Sequence, residues 1–302
     1  MKIFSFIPIF AFMSLVSFPA QALVAGGCGT ACMTGGGLAT SFDLTFYLWR
    51  QALVIAAFYG FGYILGRFVQ RKALSASLSR KTICLLTFAV SYANSFFTPA
   101  YDMAVTAGLV ALGGAMIVLM LASLALPVRK RLPAFSAVFA SISRPEDEPY
   151  TLPWLATEAI ATTLVILIFL PVIDYFFDHI LADRNVFYAM MLIPIFASGV
   201  GDALAEIVGK RWGRHHYTTR SIFGNRIYAR SLEGSAMVFS TTLAVALIVA
   251  ASFNFHLPDF FWKAFILLPI TLTLAEAKAP HTWDNPLMYF VGYLTIIFCL
   301  WS

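Results

Sequence analysis

Apolar runs recur along this chain at residues 3–22, 46–66, 82–98, 104–126, 154–176, 187–208, 234–254, 260–276 and 287–301. About 20 such residues in a helix cross the hydrocarbon of a bilayer. Of the 302 residues, 60% are hydrophobic and only 12% are charged, against about 25% charged in a soluble domain. A soluble core cannot absorb that surplus of apolar surface, whereas lipid can. The pattern predicts an all-α, polytopic helical membrane protein of about nine spans, or eight if the first segment is removed.

That first segment, residues 1–22, has one lysine, an apolar stretch and an A-x-A-like end at Ala20-Gln21-Ala22. It reads either as a signal peptide or as a first transmembrane helix. Residues 23–45 form a Gly-rich outer loop that carries Cys28 and Cys32. In an oxidising compartment these two can pair as a disulfide. Cys84 and Cys299 fall in apolar segments and read as inert packing. Residues 46–302 read as one helical membrane domain, with no internal repeat and no long linker.

Loop charge orients the spans. With the N-terminus inside, 17 of the 20 basic residues lie on the cytoplasmic side, leaving Arg50, Arg184 and Lys263 outside. The reading therefore places the chain in the inner membrane. The 127–153 loop, basic first and acidic after, is expected to lie along the cytoplasmic surface.

The chemistry-bearing residues collect at the same side. Asp202 and Glu206 share a helix face near the inner end of the 187–208 run. Asp202 sits about 9 Å from that end at 1.5 Å per residue, where an acid carries a solvation cost. Gly199, Gly201 and Gly209 around them allow close approach and local unwinding. Glu276 lies at the inner end of its own run, with Asp284 and Asn285 just beyond. Hard oxygens of this kind suit Mg²⁺, so Asp202, Glu206, Glu276, Asp284 and Asn285 are the candidate metal ligands. The acids can instead pair with loop arginines and stabilise a helix end.

Between these groups the chain turns basic, through Lys210, Arg211, Arg214, Arg220, Arg226 and Arg230. Arginine forks and a glycine-flanked helix start are good phosphate binders. Lys210, Arg211, Arg214 and Arg230 are the candidate phosphate clamp, joined by Ser231, Gly234 and Ser235 where the next helix begins. Ser231 can cap that helix. His215-His216 reads as loop rather than metal site, and no P-loop is present.

Three ordered motifs resemble the polyprenol kinase family of phytol, farnesol, dolichol and CTP-dependent diacylglycerol kinases. They are Gly201-Asp202-x-x-Ala205-x-x-x-Gly209-x-x-x-Gly213, then Arg230-Ser231-Leu232-Glu233-Gly234-Ser235, then Glu276 with Asp284-Asn285. The resemblance covers about residues 195–290. Arg230 stands where the family has lysine, and Arg80-Lys81-Thr82-Ile83-Cys84 occupies the place of R-K-x-x-H without its histidine. The resemblance implies transfer of a phosphate from CTP or ATP to the hydroxyl of a membrane lipid alcohol. Asp202 and Glu276 would be catalytic and Mg²⁺ the cofactor.

Two other readings compete. A phosphatidate cytidylyltransferase-like CDP-lipid synthase would want similar acids and cations, but its Pro-Gly-His-Gly-Gly-x-x-Asp-Arg-x-Asp signature is missing. A transporter or scaffold would favour acids at mid-span and paired repeats, whereas these acids gather at one rim. Nucleic acid is not an expected partner, since the basic loop is poor in aromatics and topology accounts for much of its charge.

Overall fold

A computed structural model describes residues 44–95, 103–179, 184–222 and 226–301. The chain folds into helices α1 (Leu44–Gln70), α2 (Ala76–Ser95), α3 (Met103–Ser123), α4 (Leu126–Arg131), α5 (Pro133–Ile142), α6 (Thr151–His179) and α7 (Arg184–Phe196). After a wide turn at Ala197–Gly201 come α8 (Asp202–Trp212), strands β1 (His216–Arg220) and β2 (Ile227–Ser231), and helices α9 (Leu232–Ser252), α10 (Asp259–Lys278) and α11 (Asp284–Trp301). The N-terminal segment 1–22, the 23–45 loop and the Cys28–Cys32 pair lie outside the described residues.

Among the described residues six helical stretches are long and apolar enough to cross a membrane: Tyr47–Gln70, Ala104–Ser123, Thr151–Ile173, Ala189–Trp212, Leu232–Ser252 and Asp259–Lys278. The expected spans 82–98 and 287–301 fall on α2 and α11, which are not among the six. The reason is polarity at their starts. α2 opens with Ser77, Ser79, Arg80 and Lys81, and α11 with Asp284-Asn285, all before the apolar stretch begins.

α7 continues through the wide turn into α8 along the centre of the bundle. Phe187, Met190, Met191 and Ile193 are fully buried, enclosed by α9, α10 and α11. A helix apolar all round is expected in such a place. α3 packs along α6, and α1 packs along α5. The latter contact corrects the surface-loop expectation for 127–153: α5 buries Ala137, Val138 and Ile142. The all-α expectation also needs amendment, because β1 and β2 pair antiparallel, with His216 opposite Ser231 and Arg220 opposite Ile227. This hairpin lies where α6, α9 and α11 begin and α8 and α10 finish.

A cavity with two walls

The glycine spacing explains how those helix ends meet. Gly201, Ala205, Gly209 and Gly213 recur every four residues and share one side of the α7–α8 rod. That side receives the start of α9. A Cβ on Gly234 would stand 2.8 Å from the Ala205 carbonyl oxygen, and one on Gly209 would stand 2.8 Å from Ser231 Oγ. Only glycine lets the two backbones come this close. Ser231 is the helix cap its position predicts: its hydroxyl accepts from the Gly234 N–H at 3.1 Å.

The helix ends enclose a cavity of about 390 Å³. Of the residues singled out in the sequence, Asp202, Glu206, Lys210, Arg230, Ser231, Gly234, Ser235, Glu276, Asp284 and Asn285 all line it. Two do not. Arg211 lies over the Trp212 ring, 4.9 Å from its centroid, and Arg214 is absent from the lining. A helix turning 100° per residue points Lys210 and Arg211 in different directions, so only one of them can face inward.

The lining divides by charge. One wall is acidic, formed by Glu158, Asp202, Glu276 and Asp284. Arg230 answers part of that charge, pairing with Glu276 and reaching Asp284 Oδ2 at 3.2 Å. The strongly buried Arg230 would lose its proton more readily on that ground alone, but Asp284, Glu276 and Asp202 together hold it firmly charged. Ser235 donates to the second Glu276 oxygen at 3.1 Å and meets the Tyr217 hydroxyl at 2.7 Å. Glu158 and Asn285 were not linked by the sequence reading. Here the Asn285 amide donates to Glu158, and both are buried.

The other part of the lining is cationic, with Arg80, Arg144 and Lys210 beside Glu146, and Lys81 joined to it through Glu206. Glu206 belongs to this wall. It pairs with Lys81 and Lys210, and Arg144 Nη1 approaches at 3.6 Å. This is the alternative in which an acid answers loop cations. Asp147 gathers Arg80 at 2.7 Å and Arg144 at 2.8 Å. Burial alone would raise the Asp147 carboxyl, but His281, Arg80 and Arg144 hold it well below the usual carboxylate range.

These pairings bear on the expected five-oxygen metal set. Among the described residues no group of three or more His, Cys, Asp or Glu side chains is arranged to hold a metal ion. Glu206 and Glu276 are closely paired with cations, and Asp284 meets Arg230 through one oxygen at 3.2 Å. Asp202 has no hydrogen-bond or ion-pair partner among the described residues, and Asn285 Oδ1 is buried and unpaired. Magnesium characteristically takes one or two carboxylates and leaves the rest to water and phosphate. Asp202, Asp284 and the Asn285 oxygen fit that mode; a dedicated protein cage does not fit. His216 lines the cavity singly, while His215 turns outward to Glu233 at 2.8 Å.

Sequence comparison finds a stretch of 94 residues, 29% of this chain, that is 36% identical to a phytol kinase of Synechocystis sp.. The match spans 34% of that relative's length, so the chain answers to about a third of it. No family model matches, and no solved structure matches.

Proposed function

We propose that this chain is a multi-pass membrane lipid kinase. It transfers the terminal phosphate of a nucleoside triphosphate, CTP or ATP, to the hydroxyl of a membrane lipid alcohol of the phytol, polyprenol or diacylglycerol class. The reaction takes place at the cytoplasmic face of the inner membrane. The observation that carries this reading is the two-walled cavity at the polar end of apolar helices. Surplus cations on one side suit a polyphosphate, and under-compensated acids on the other suit a divalent cation bound to it. The partial likeness to a phytol kinase supports the same chemistry.

Phosphoryl transfer asks a protein mainly for positioning and charge stabilisation. Asp202 and Asp284, with Asn285 Oδ1, are the residues that would hold Mg²⁺. When bound, Mg²⁺ would neutralise charge on the phosphate oxygens. Lys210 and Arg230 hold the phosphates. The α8–α9 contact at Gly234 keeps Arg230 and Asp202 on one side of the cavity. The lipid hydroxyl oxygen forms a bond to the terminal phosphorus as the bridging P–O bond to the nucleoside diphosphate breaks. Alternatively to holding the metal, Asp202, which has no hydrogen bond among the described residues, would orient that hydroxyl and receive its proton. Glu276, bound by Arg230 and Ser235, sets the Arg230 guanidinium rather than touching the reacting atoms.

The test is to incubate purified protein with terminally labelled CTP or ATP and phytol, polyprenol or diacylglycerol. The expected result is labelled lipid monophosphate with release of nucleoside diphosphate. Pyrophosphate release with a CDP-lipid product would instead establish the cytidylyltransferase reaction. No product from any acceptor would remove the kinase assignment.

A further inference from the structure

The cationic wall contains a group outside the three ordered motifs. Arg80 on α2 and Arg144 after α5 both line the cavity and are both buried, at 7% and 6% exposure. Two buried guanidinium groups side by side repel unless something holds them. Asp147, 1% exposed, does so: Arg80 Nη1 donates to Oδ2 at 2.7 Å, while Arg144 donates through Nε at 2.8 Å and Nη2 at 3.2 Å. Arg144 is thus seated bidentate, the geometry in which a guanidinium is most firmly oriented. Arg80 Nε remains buried without an acceptor among the described residues. An orphaned charged donor of this kind calls for an oxyanion partner.

His281 braces the arrangement. Its Nε2 lies 3.0 Å from Arg144 Nη2 and 3.4 Å from Asp147 Oδ1. A guanidinium can only donate, so Nε2 accepts from Arg144 when the ring proton is on Nδ1 and donates to Asp147 when it is on Nε2; either tautomer ties the ring to the cluster. The ring stacks on Tyr228 at 3.6 Å between centroids, and Trp154 closes against it edge-on. Asp147 and the packed His281 ring therefore fix one guanidinium. Among the described residues, Arg80, Lys81, Arg144 and Lys210 make their buried ion pairs with Asp147 and Glu206, and the half-exposed Glu146 lies 3.9 Å from Arg144 Nε. The wall keeps a surplus of positive charge.

We propose that Arg80 and Arg144 form an oxyanion subsite for a phosphate group in the cavity that Arg230 also lines, and that Asp147 is the positioning residue that holds both donors in place. The subsite deepens the kinase reading and rests on it for the identity of the phosphate-bearing ligand. Asp147 touches no substrate. It acts by keeping two cations adjacent and by selecting which of their N–H groups stay free.

The probe is inorganic pyrophosphate, titrated with and without Mg²⁺ into the purified full chain in detergent and read by calorimetry. Arg144→Gln removes one guanidinium charge and its remaining N–H donors and is expected to weaken binding by about tenfold or more. Asp147→Asn keeps the shape and removes the charge that aligns both arginines. It is expected to weaken binding similarly and, in the transfer assay, to raise KM for the nucleotide more than it lowers kcat. Asp147→Glu should recover part of the affinity, which a purely structural role would not predict. Thermal unfolding separates loss of fold from loss of binding, and Arg80→Lys, which retains charge but not the fork, serves where Asp147→Asn does not fold. If Arg144→Gln and Arg80→Lys bind pyrophosphate as the parent does, or the parent binds none, the subsite is overturned. Weakened pyrophosphate binding without any lipid phosphorylation would leave the subsite standing and remove the kinase reading.

Discussion

The two walls of the cavity solve opposite electrostatic problems. On the cationic wall, Asp147 and Glu206 are each shared among several cations, so every buried acid is over-answered. On the acidic wall, Arg230 alone is ion-paired, to Glu276 and Asp284, while Glu158 is held by the Asn285 amide and Asp202 has no hydrogen bond or close ion pair among the described residues, Lys81 and Arg230 acting on it only at longer range. A buried ion pair barely repays its desolvation, and an unanswered buried charge is costly. The first wall is thus complete toward its own acids and open toward an anion; the second is incomplete and open toward a cation. Under the proposed reading, the difference assigns the phosphates to the first wall and the metal to the second.

Perturbing the acidic wall is expected to have the largest effect. Asp202→Asn preserves shape and removes the free carboxylate, and should lower the transfer rate by about 10²–10⁴-fold, the usual contribution of a positioned proton acceptor. Rate assays alongside thermal unfolding check this, and undiminished activity would remove Asp202 from the chemistry. Arg230→Gln leaves Glu276 and Asp284 unanswered and should destabilise the fold by about 3–5 kcal/mol. Arg230→Lys, which restores the residue typical of the family resemblance, should recover much of that in a thermal melt.

Smaller changes sharpen the comparison through pH. Burial keeps His281 below the ordinary imidazole range despite the nearby Asp147 carboxylate, with Arg144 acting in the same direction. A group whose folded pKa is depressed contributes stability above its unfolded value, about 6.5 for histidine, and loses it as pH falls. Asp147, also depressed, contributes above about pH 4 and is lost below. Melting temperature should therefore decline in two stages on acidification. His281→Gln should flatten the upper stage and Asp147→Asn the lower. An unchanged profile in both variants would contradict the described wall. The smallest effect is expected at Ser231→Ala, which loses a helix cap for about 1 kcal/mol.

How much of this was legible depended on whether a signal was local. The long apolar helices were, since twenty-residue runs need no distant partner to be recognised. The acidic wall was nearly so, because Gly201-Asp202, Glu276 and Asp284-Asn285 each punctuate the end of an apolar run. The cationic wall was not. Arg144 and Asp147 lie in a proline-rich loop that reads as surface, and His281 meets Asp147 from 134 residues away. Glu158 is one acid inside an apolar run, and its partner Asn285 is 127 residues distant. Its isolation in that run was the signal available. The hairpin escaped for another reason: HYTTR and IYARS lack the apolar alternation of a strand buried on one face. Arg80-Lys81 was noticed by its resemblance to a motif, but without the motif's histidine it suggested no role, and only the contacts with Asp147 and Glu206 supply one.

The most direct measurement is the energetic coupling between nucleotide and divalent cation in the purified protein. CTP or ATP affinity would be titrated with and without Mg²⁺, and Mn²⁺ affinity by paramagnetic resonance with and without nucleotide. The account predicts that each ligand tightens the other in the parent chain and that Asp202→Asn abolishes this mutual effect. Nucleotide binding that is indifferent to the cation, or coupling that survives in Asp202→Asn, would contradict a cavity whose two walls grip a single metal-bound phosphate chain.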